Sequence, residues 1–380
     1  MHPSERDSRD SRAPSITPSK RDWQVSVGLF AATLFSVLLT GFASDPGPSL
    51  RTKAIHSVLF TATLLSILLA HEFGHFFAAK IHRVAASPPY FIPLPLLSPF
   101  GTMGAVIRMR DRITTKNSLF DIGAAGPLAG MAVAVPMYIW GIKHSRVIAL
   151  GSTDGAQLGE SLLSGWLDHL ALGPLGPGND LQLSPVAFAA WAGFFVTMIN
   201  LLPLGQLDGG HVAYALFGKR QNRIAPWVHR TMLLAFVASV GTGIARDVSS
   251  GFGFHAAGRH IQNSMFWLMW FVVQGAIGTA SQPIEKKPPL PNTTRLLAVL
   301  GLAILAGWGR ESGSILLWGA WFFGLIVLIA MEAKWGVLGD PTPLEHPPTN
   351  DEPLTLGRRA LAVVTLLLFV LLFMPTPIAI

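Results

Sequence analysis

Residues 66–80, SILLAHEFGHFFAAK, place two histidines and a glutamate in an otherwise apolar run that reads as a helix. A helix brings side chains four positions apart onto one face, so His71 and His75 can reach a single cation. Glu72 stands beside them in the sequence. This is the HExxH pattern, in which two histidines bind zinc and the glutamate acts as general base on a metal-bound water.

The same residues have a simpler explanation. A short motif can arise by chance, and an intramembrane histidine can serve only as a hydrogen-bond partner between helices. In lipid, however, one ionisable side chain costs on the order of 2.5–3.5 kcal/mol even on the lenient insertion scale, and here three cluster. This cost favours the metal site.

The composition is that of a membrane protein. Of 380 residues, 50% are hydrophobic and 13% are charged, which is about half the charged fraction of a soluble chain. Several apolar runs have the roughly 20 residues needed to cross a hydrocarbon core. We therefore expect an all-α polytopic membrane protein with about 8–9 transmembrane helices. The predicted spans are at about residues 24–43, 54–80, 118–141, 185–205, 228–245, 263–281, 293–309, 314–332 and 360–376.

The first 22 residues are rich in Ser, Pro and mixed charge, which predicts a disordered tail. We expect no secretory signal, because the apolar segment that follows is too long, and no transit peptide, because the tail is acidic in part. Residues 23–380 are expected to form one integral-membrane domain. Its catalytic core is predicted at about 54–216 and its C-terminal helices at about 226–380.

The net charge of +7 does not require a nucleic-acid partner. The basic residues stand in short clusters between apolar runs, as positive-inside topology predicts. If the spans alternate, the clusters at Arg83, Arg112 and Lys219 fall on one side, the cytoplasm or its equivalent, and the loop at about 143–183 falls on the other. A bacterial plasma membrane is the expected location, with the active site toward the cytoplasm, although the sequence leaves an organelle open.

Zinc needs a third protein ligand if one position is to stay open for water. The chain has no cysteine, so the ligands must be His, Asp or Glu. Asp208 follows the fourth predicted span, on the side of HExxH, and would complete a His, His, Asp set. The alternative for this residue is an ordinary Asp-Gly turn. We expect His211 to lie beside the site, because a fourth protein ligand would close the water position.

With both motifs, the chain resembles the site-2 protease family of intramembrane metalloproteases, peptidase family M50. The resemblance is carried by HEFGH at 71–75 and by NLLPLGQLDGG at 200–210, which fits the family's NxxPxxxxDG pattern through Asn200, Pro203, Asp208 and Gly209. The stretches PYFIPLPLLSPFGTMGAVIRMRD, FDIGAAGPLAGMAVAVP and HPPTNDEPLTLGRR are similar to the branch that includes the chloroplast members. The loop at about 143–183 is too short for the PDZ domain that many bacterial relatives insert.

The resemblance implies a zinc-dependent endopeptidase that cleaves transmembrane segments of membrane-protein substrates within the lipid bilayer. One catalytic zinc ion would be bound by His71, His75 and Asp208, with Glu72 as general base. The family assigns Asn200 to substrate positioning or oxyanion stabilisation, which its amide permits. An interhelical hydrogen bond explains Asn200 equally well.

Residues 90–110 are apolar but interrupted by prolines and glycines, so they cannot form a regular spanning helix. We expect a re-entrant loop with a short β-hairpin, whose edge could pair with an extended substrate strand. The alternative is a loop that lies at the headgroups. The stretch GPLAG at 126–130 is interpreted as a close helix-packing contact.

Two other functions fit parts of the sequence. A membrane transporter or metal-handling protein would use the His and Asp residues as a transport site, but transport needs no general base between two histidine ligands. A catalytically inactive scaffold that binds transmembrane partners is the third possibility.

Overall fold

The computed structural model describes residues 17–149, 157–251, 257–280, 346, 349–350 and 352–379. This part of the chain is mostly helical, as predicted. Its helices are α1 (Lys20–Ser44), α2 (Leu50–Ile81), α3 (Lys116–Lys143), α4 (Leu162–Leu172), α5 (Pro185–Asn200), α6 (Asp208–Phe217), α7 (Arg220–Ser249), α8 (Ala257–Ala280) and α9 (Leu356–Leu372). Its strands are β1 (Tyr90–Pro93), β2 (Thr102–Val106), β3 (Arg146–Ala149), β4 (Gln157–Leu158), β5 (Asn179–Gln182) and β6 (Ile378–Ala379).

Four described helices, α1, α2, α3 and α7, are long and apolar enough to cross a membrane. They coincide with four of the predicted spans. The apolar helix α5 is shorter and ends at Asn200, before the end of the span predicted at 185–205. The helices α8 and α9 lie at the spans predicted at 263–281 and 360–376 but are not among these four.

The spans predicted at 293–309 and 314–332 lie outside the described residues, so the total of 8–9 transmembrane helices stays a prediction. The predicted tail lies mostly outside them as well. The last residues of the predicted tail are described and are ordered, because α1 begins at Lys20, where Ser19 and Asp22 form a capping box.

The chain divides into two units. The first contains the residues up to Arg146 together with Leu183–Val196, and the second contains Val147–Gln182 and the residues from Thr197 onward. The single domain predicted for residues 23–380 stays a prediction.

In the first unit, α2 and α3 approach closely because each presents a glycine to the other. A Cβ atom at Gly74 would lie 2.5 Å from the carbonyl oxygen of Ala125 and 3.0 Å from the Cα atom of Gly126. Real Cβ atoms do not come this near to backbone, so a larger residue would push the helices apart. The packing interpretation of GPLAG is thereby confirmed.

The predicted hairpin is also present in the first unit. The strands β1 and β2 are antiparallel, with Tyr90 opposite Val106 and Phe91 opposite Ala105. Two further two-stranded sheets, β3 with β5 and β4 with β6, were not expected from the all-α prediction. Whether the hairpin enters the membrane as a re-entrant loop stays a prediction.

Polar side chains of α1 hold the hairpin in place. The hydroxyl of Ser26 donates to the carbonyl oxygen of Pro89 at 2.6 Å, and that of Ser36 donates to the carbonyl oxygen of Gly101 at 2.5 Å. Both serines are buried. Gly101 has a φ of +71°, a conformation that a residue with a side chain adopts only with strain. The Ser26 contact gives the Pro89 carbonyl a hydrogen-bond donor, and the Ser36 contact adds a second donor to the Gly101 carbonyl, which also accepts from the amide of Leu94 at 3.1 Å.

In the second unit, a short turn after α5 leads into α6, and α7 packs against α8. The apolar cluster of this unit joins the turn to both helices and contains Leu202, Leu204, Ala225, Met232, Phe236, Trp267 and Leu268. The helix α9 packs on α6 and on α4. The start of α6 is therefore supported by the turn before it and by α9.

Candidate metal centre

The two histidines of HExxH lie on one face of α2, as predicted. Their Nε2 atoms are 3.2 Å apart, and their ring centroids are 4.9 Å apart in an edge-to-face arrangement. His71 is 3% exposed and His75 is 8% exposed. Two imidazole nitrogens held this close can bind one metal ion, because each Zn–N distance is about 2.0–2.1 Å.

The other ring nitrogen of His75 is engaged by α3. Its Nδ1 atom lies 2.6 Å from the carbonyl oxygen of Ile122. A carbonyl can only accept, so Nδ1 carries the hydrogen and Nε2 of the neutral ring keeps its lone pair. Metal-binding histidines are commonly oriented by such a partner. Sequence reasoning missed this contact. Every residue has a backbone carbonyl, so the sequence gives no signal that the carbonyl of Ile122 accepts a hydrogen bond from His75.

The glycines of α3 make room for these rings. A Cβ atom at Gly126 would overlap the imidazole of His75, and one at Gly130 would lie 3.2 Å from the Cβ atom of His71. The sequence signal was the GxxxG spacing, which predicted a packing face. The structure adds that this face packs against both histidines of the motif.

Glu72 is 6% exposed and follows His71 in α2. A carboxylate accepts protons in its ionised form, so a glutamate at this place has the chemistry of a general base. The first unit therefore holds the complete HExxH motif inside a helix of membrane-spanning length.

The residues of the second motif stand at two helix ends. Asn200 is the last residue of α5, and Asp208 is the first residue of α6. The turn between them is closed by a hydrogen bond from the amide of Leu204 to the carbonyl oxygen of Leu202 at 2.7 Å. The alternative of an ordinary Asp-Gly turn is wrong, because Asp208 opens a helix.

The glycines after Asp208 let α6 fold back onto this turn. A Cβ atom at Gly209 would lie 2.6 Å from the carbonyl oxygen of Leu202, and one at Gly210 would lie 2.6 Å from that of Leu204. Neither contact is possible for a residue with a side chain unless the backbone shifts. The two glycines of DGG thus allow α6 to begin at Asp208, directly against the preceding turn.

His71 and His75 lie together in the first unit, and Asp208 begins α6 in the second unit, so a single metal site formed by all three stays a prediction. Two imidazole nitrogens and one carboxylate oxygen are a donor set that zinc accepts, with a fourth position left for water or substrate. The hydrogen bond from His75 to Ile122 adds the orienting contact that such sites usually have.

His211 makes a contact that the sequence did not predict. Its Nδ1 atom lies 2.8 Å from Nε2 of His346. A role for His211 beside the metal site stays a prediction.

Comparisons with known proteins agree with the two motifs. The model of peptidase family M50 matches residues 59–240. The chain is 29% identical over 214 residues to "Probable zinc metalloprotease EGY2, chloroplastic" of Oryza sativa subsp. indica, which covers 54% of this chain and 38% of the relative. It is 35% identical over 227 residues to "Probable zinc metalloprotease EGY1, chloroplastic" of Oryza sativa subsp. japonica, which covers 52% and 38%. No solved structure matches the chain.

These relatives are named as chloroplast proteins, so they do not support the expected bacterial plasma membrane. The candidate spans and the relatives together point to a membrane protein. The chain spans 38% of the length of these rice relatives. Residues 59–240 match the model of peptidase family M50, and the chain is similar to relatives named as chloroplast zinc metalloproteases.

Proposed function

We propose that this chain is a zinc-dependent intramembrane endopeptidase that cleaves transmembrane segments of membrane proteins. One observation carries the proposal: the HExxH motif is buried within α2, a helix long and apolar enough to cross a membrane. Ionisable groups at membrane depth are costly and are retained where they have a function. The family match supports the same chemistry.

In this proposal, His71, His75 and Asp208 hold the zinc ion. Zinc, when bound, would lower the pKa of a coordinated water toward about 7 and polarise the scissile carbonyl. In the neutral ring of His75, the hydrogen bond to Ile122 places the hydrogen on Nδ1, so that Nε2 offers its lone pair to the metal. The glycines of α3 keep the space around both rings clear of side chains.

Glu72 is proposed to move the proton. As the water oxygen adds to the carbonyl carbon of the substrate, the Glu72 carboxylate accepts a proton from that water. When the carbon–nitrogen bond breaks, Glu72 returns the proton to the departing amine. Asn200 is proposed to donate its amide N–H to the substrate carbonyl oxygen, which gains negative charge during the attack.

The substrate must be extended before it can react, because a peptide bond inside a helix has its carbonyl and amide engaged. We propose β2 as the strand that receives it. Among the described residues the sheet has only β1 and β2, so β2 has one edge without a neighbouring strand. Met103 is 68% exposed and Val106 is 52% exposed. An extended apolar segment could pair with this edge by main-chain hydrogen bonds.

The experiment that tests the proposal uses the purified full chain in lipid vesicles with single-span test proteins tagged at both ends. We expect cleavage within the span that stops when zinc is removed by a chelator and returns when zinc is added. Glu72→Gln should be inactive, whereas Glu352→Gln, which changes an exposed glutamate, should be as active as the wild type. Equal cleavage by zinc-loaded Glu72→Gln and wild type would refute the mechanism. Intact test proteins after incubation with zinc-loaded wild type would favour a transporter or a scaffold.

A further inference from the structure

The residue His346 joins a distant part of the chain to α6. Its Nε2 atom lies 2.8 Å from Nδ1 of His211, a residue 135 positions earlier. His346 is 8% exposed. His211 is half-buried, so the bond between the two rings is partly shielded from competing water, and its loss should matter more than that of an exposed bond.

Two further contacts fix the same residue. The ring of His346 stacks on that of Tyr214, with centroids 4.4 Å apart and planes 24° from parallel. Its backbone is held by Asn222: the His346 amide donates to the Asn222 side-chain oxygen at 3.0 Å, and the Asn222 amide group donates back to the His346 carbonyl at 3.4 Å. The side chain of His346 is thus bound to α6, and its backbone is bound to the first turn of α7.

The helix that His346 contacts is the one that begins with Asp208. His211 and Tyr214 lie in the following turns of α6. At its start, α6 packs closely on the preceding turn through its glycines, and Leu207 forms no side-chain cap. A ten-residue helix has little stability by itself and depends on tertiary contacts.

We infer that His346 is a positioning residue: its hydrogen bond with His211 holds α6, and thereby Asp208, in place. The part of this inference that concerns zinc rests on the proposed function, whereas the part that concerns α6 does not. The contact needs a nitrogen on each side, one donating and the other accepting. Glutamine can replace His346 in this role, because its terminal amide reaches about as far as Nε2 and can donate or accept. Phenylalanine keeps the ring that stacks on Tyr214 but has no polar atom.

The test measures hydrogen exchange of the α6 amides and release of zinc to a chelator, with the full chain in detergent. For His346→Phe and His346→Ala we expect exchange in α6 and zinc release to rise about tenfold, the usual size of one buried hydrogen bond. His346→Gln should restore most of the wild-type behaviour. Exchange in α2 should stay unchanged in all three, which shows that the first unit remains folded.

A matched control is available in α7. The ring of His229 donates a hydrogen bond to the carbonyl oxygen of Phe271 at 2.7 Å and stacks on the ring of the same residue. His229→Phe removes a ring hydrogen bond to α8 rather than to α6 and keeps an aromatic ring, so it should leave exchange in α6 and zinc release at wild-type values. A change as large as that of His346→Phe would show a general loss of stability and overturn the inference.

Two other results would overturn it. If His346→Phe behaves like wild type, stacking alone suffices and the hydrogen bond has no role. If His346→Gln is as impaired as His346→Ala, the bond to His211 is not what holds α6. Absence of zinc from the wild type would refute the zinc site of the proposed function, while the exchange of the α6 amides would still decide the role of His346.

Discussion

His75 of α2 and Ile122 of α3 are joined by a hydrogen bond of 2.6 Å between Nδ1 and the backbone carbonyl oxygen. The bond couples the orientation of a proposed zinc ligand to the packing of two helices. The imidazole of His75 therefore makes two contacts. Its Nε2 atom faces the proposed metal, and its Nδ1 atom bonds the Ile122 carbonyl of α3. His71 and His75 should therefore respond differently to substitution.

The first prediction concerns these two histidines. His71→Ala and His75→Ala should each lose most of the bound zinc, because each removes one of three protein ligands. His75→Ala should in addition lower the free energy of unfolding by about 0.5–1.5 kcal/mol, since it removes the buried hydrogen bond to the Ile122 carbonyl. Zinc content by mass spectrometry and thermal unfolding of the metal-free protein would measure the two effects. The control is His144→Ala, which changes an exposed histidine. Full zinc occupancy in both variants would exclude this metal site.

The second prediction concerns the glycine face of α3. Gly126→Ala adds a Cβ atom that overlaps the His75 ring, so α3 must shift or the ring must turn. Either response should weaken zinc binding by about tenfold or more, because ligand positions must hold to about 0.5 Å. A competition titration with a chelator would measure it. Gly28→Ala in α1 is the matched control, since a Cβ atom there has nothing within 4 Å. Equal zinc affinity of the two variants would show that the close approach of α3 is unimportant.

The third prediction separates metal binding from proton transfer. Glu72→Gln keeps the size of the side chain and leaves the three proposed ligands in place, so zinc should stay bound while cleavage falls by roughly a hundredfold to ten-thousandfold. Asp208→Asn should weaken zinc binding, because a neutral amide oxygen is a poorer ligand than a carboxylate. The two variants should look alike in a cleavage assay and different in a zinc assay. Normal zinc affinity of Asp208→Asn would remove Asp208 from the ligand set.

The fourth prediction concerns topology. The chain has no cysteine, so single cysteines can be labelled without background. Cysteines in place of the exposed residues Lys80, Arg112 and Lys219 should react from the side that holds the basic loops, and one in place of His169 should react from the other. Membrane-impermeant thiol reagents on sealed vesicles of known orientation would show this. Labelling of positions 80 and 219 from opposite faces would place HExxH and Asp208 on different sides and refute a shared zinc site.

Several features of this protein depend on local spacing and could be predicted from the sequence. Two histidines four positions apart must share a helix face, and an apolar run of about 20 residues must span or be buried. The hairpin at 90–110 followed from the prolines and glycines that exclude a helix there. In each case the signal lies within one short segment, so no knowledge of the fold was needed. At Asp208 the alternative of an Asp-Gly turn was wrong, because this residue begins α6.

The distant groups that support these segments could be identified only from the folded chain. The partner of His75 is a backbone carbonyl 47 positions away, and the partner of His211 is a histidine 135 positions away. The spacing of Gly126 and Gly130 predicted a packing face but not that the imidazoles of His71 and His75 occupy it. Such contacts arise because packing brings together groups that are unrelated in sequence, and a carbonyl or a glycine looks the same at every position of the chain.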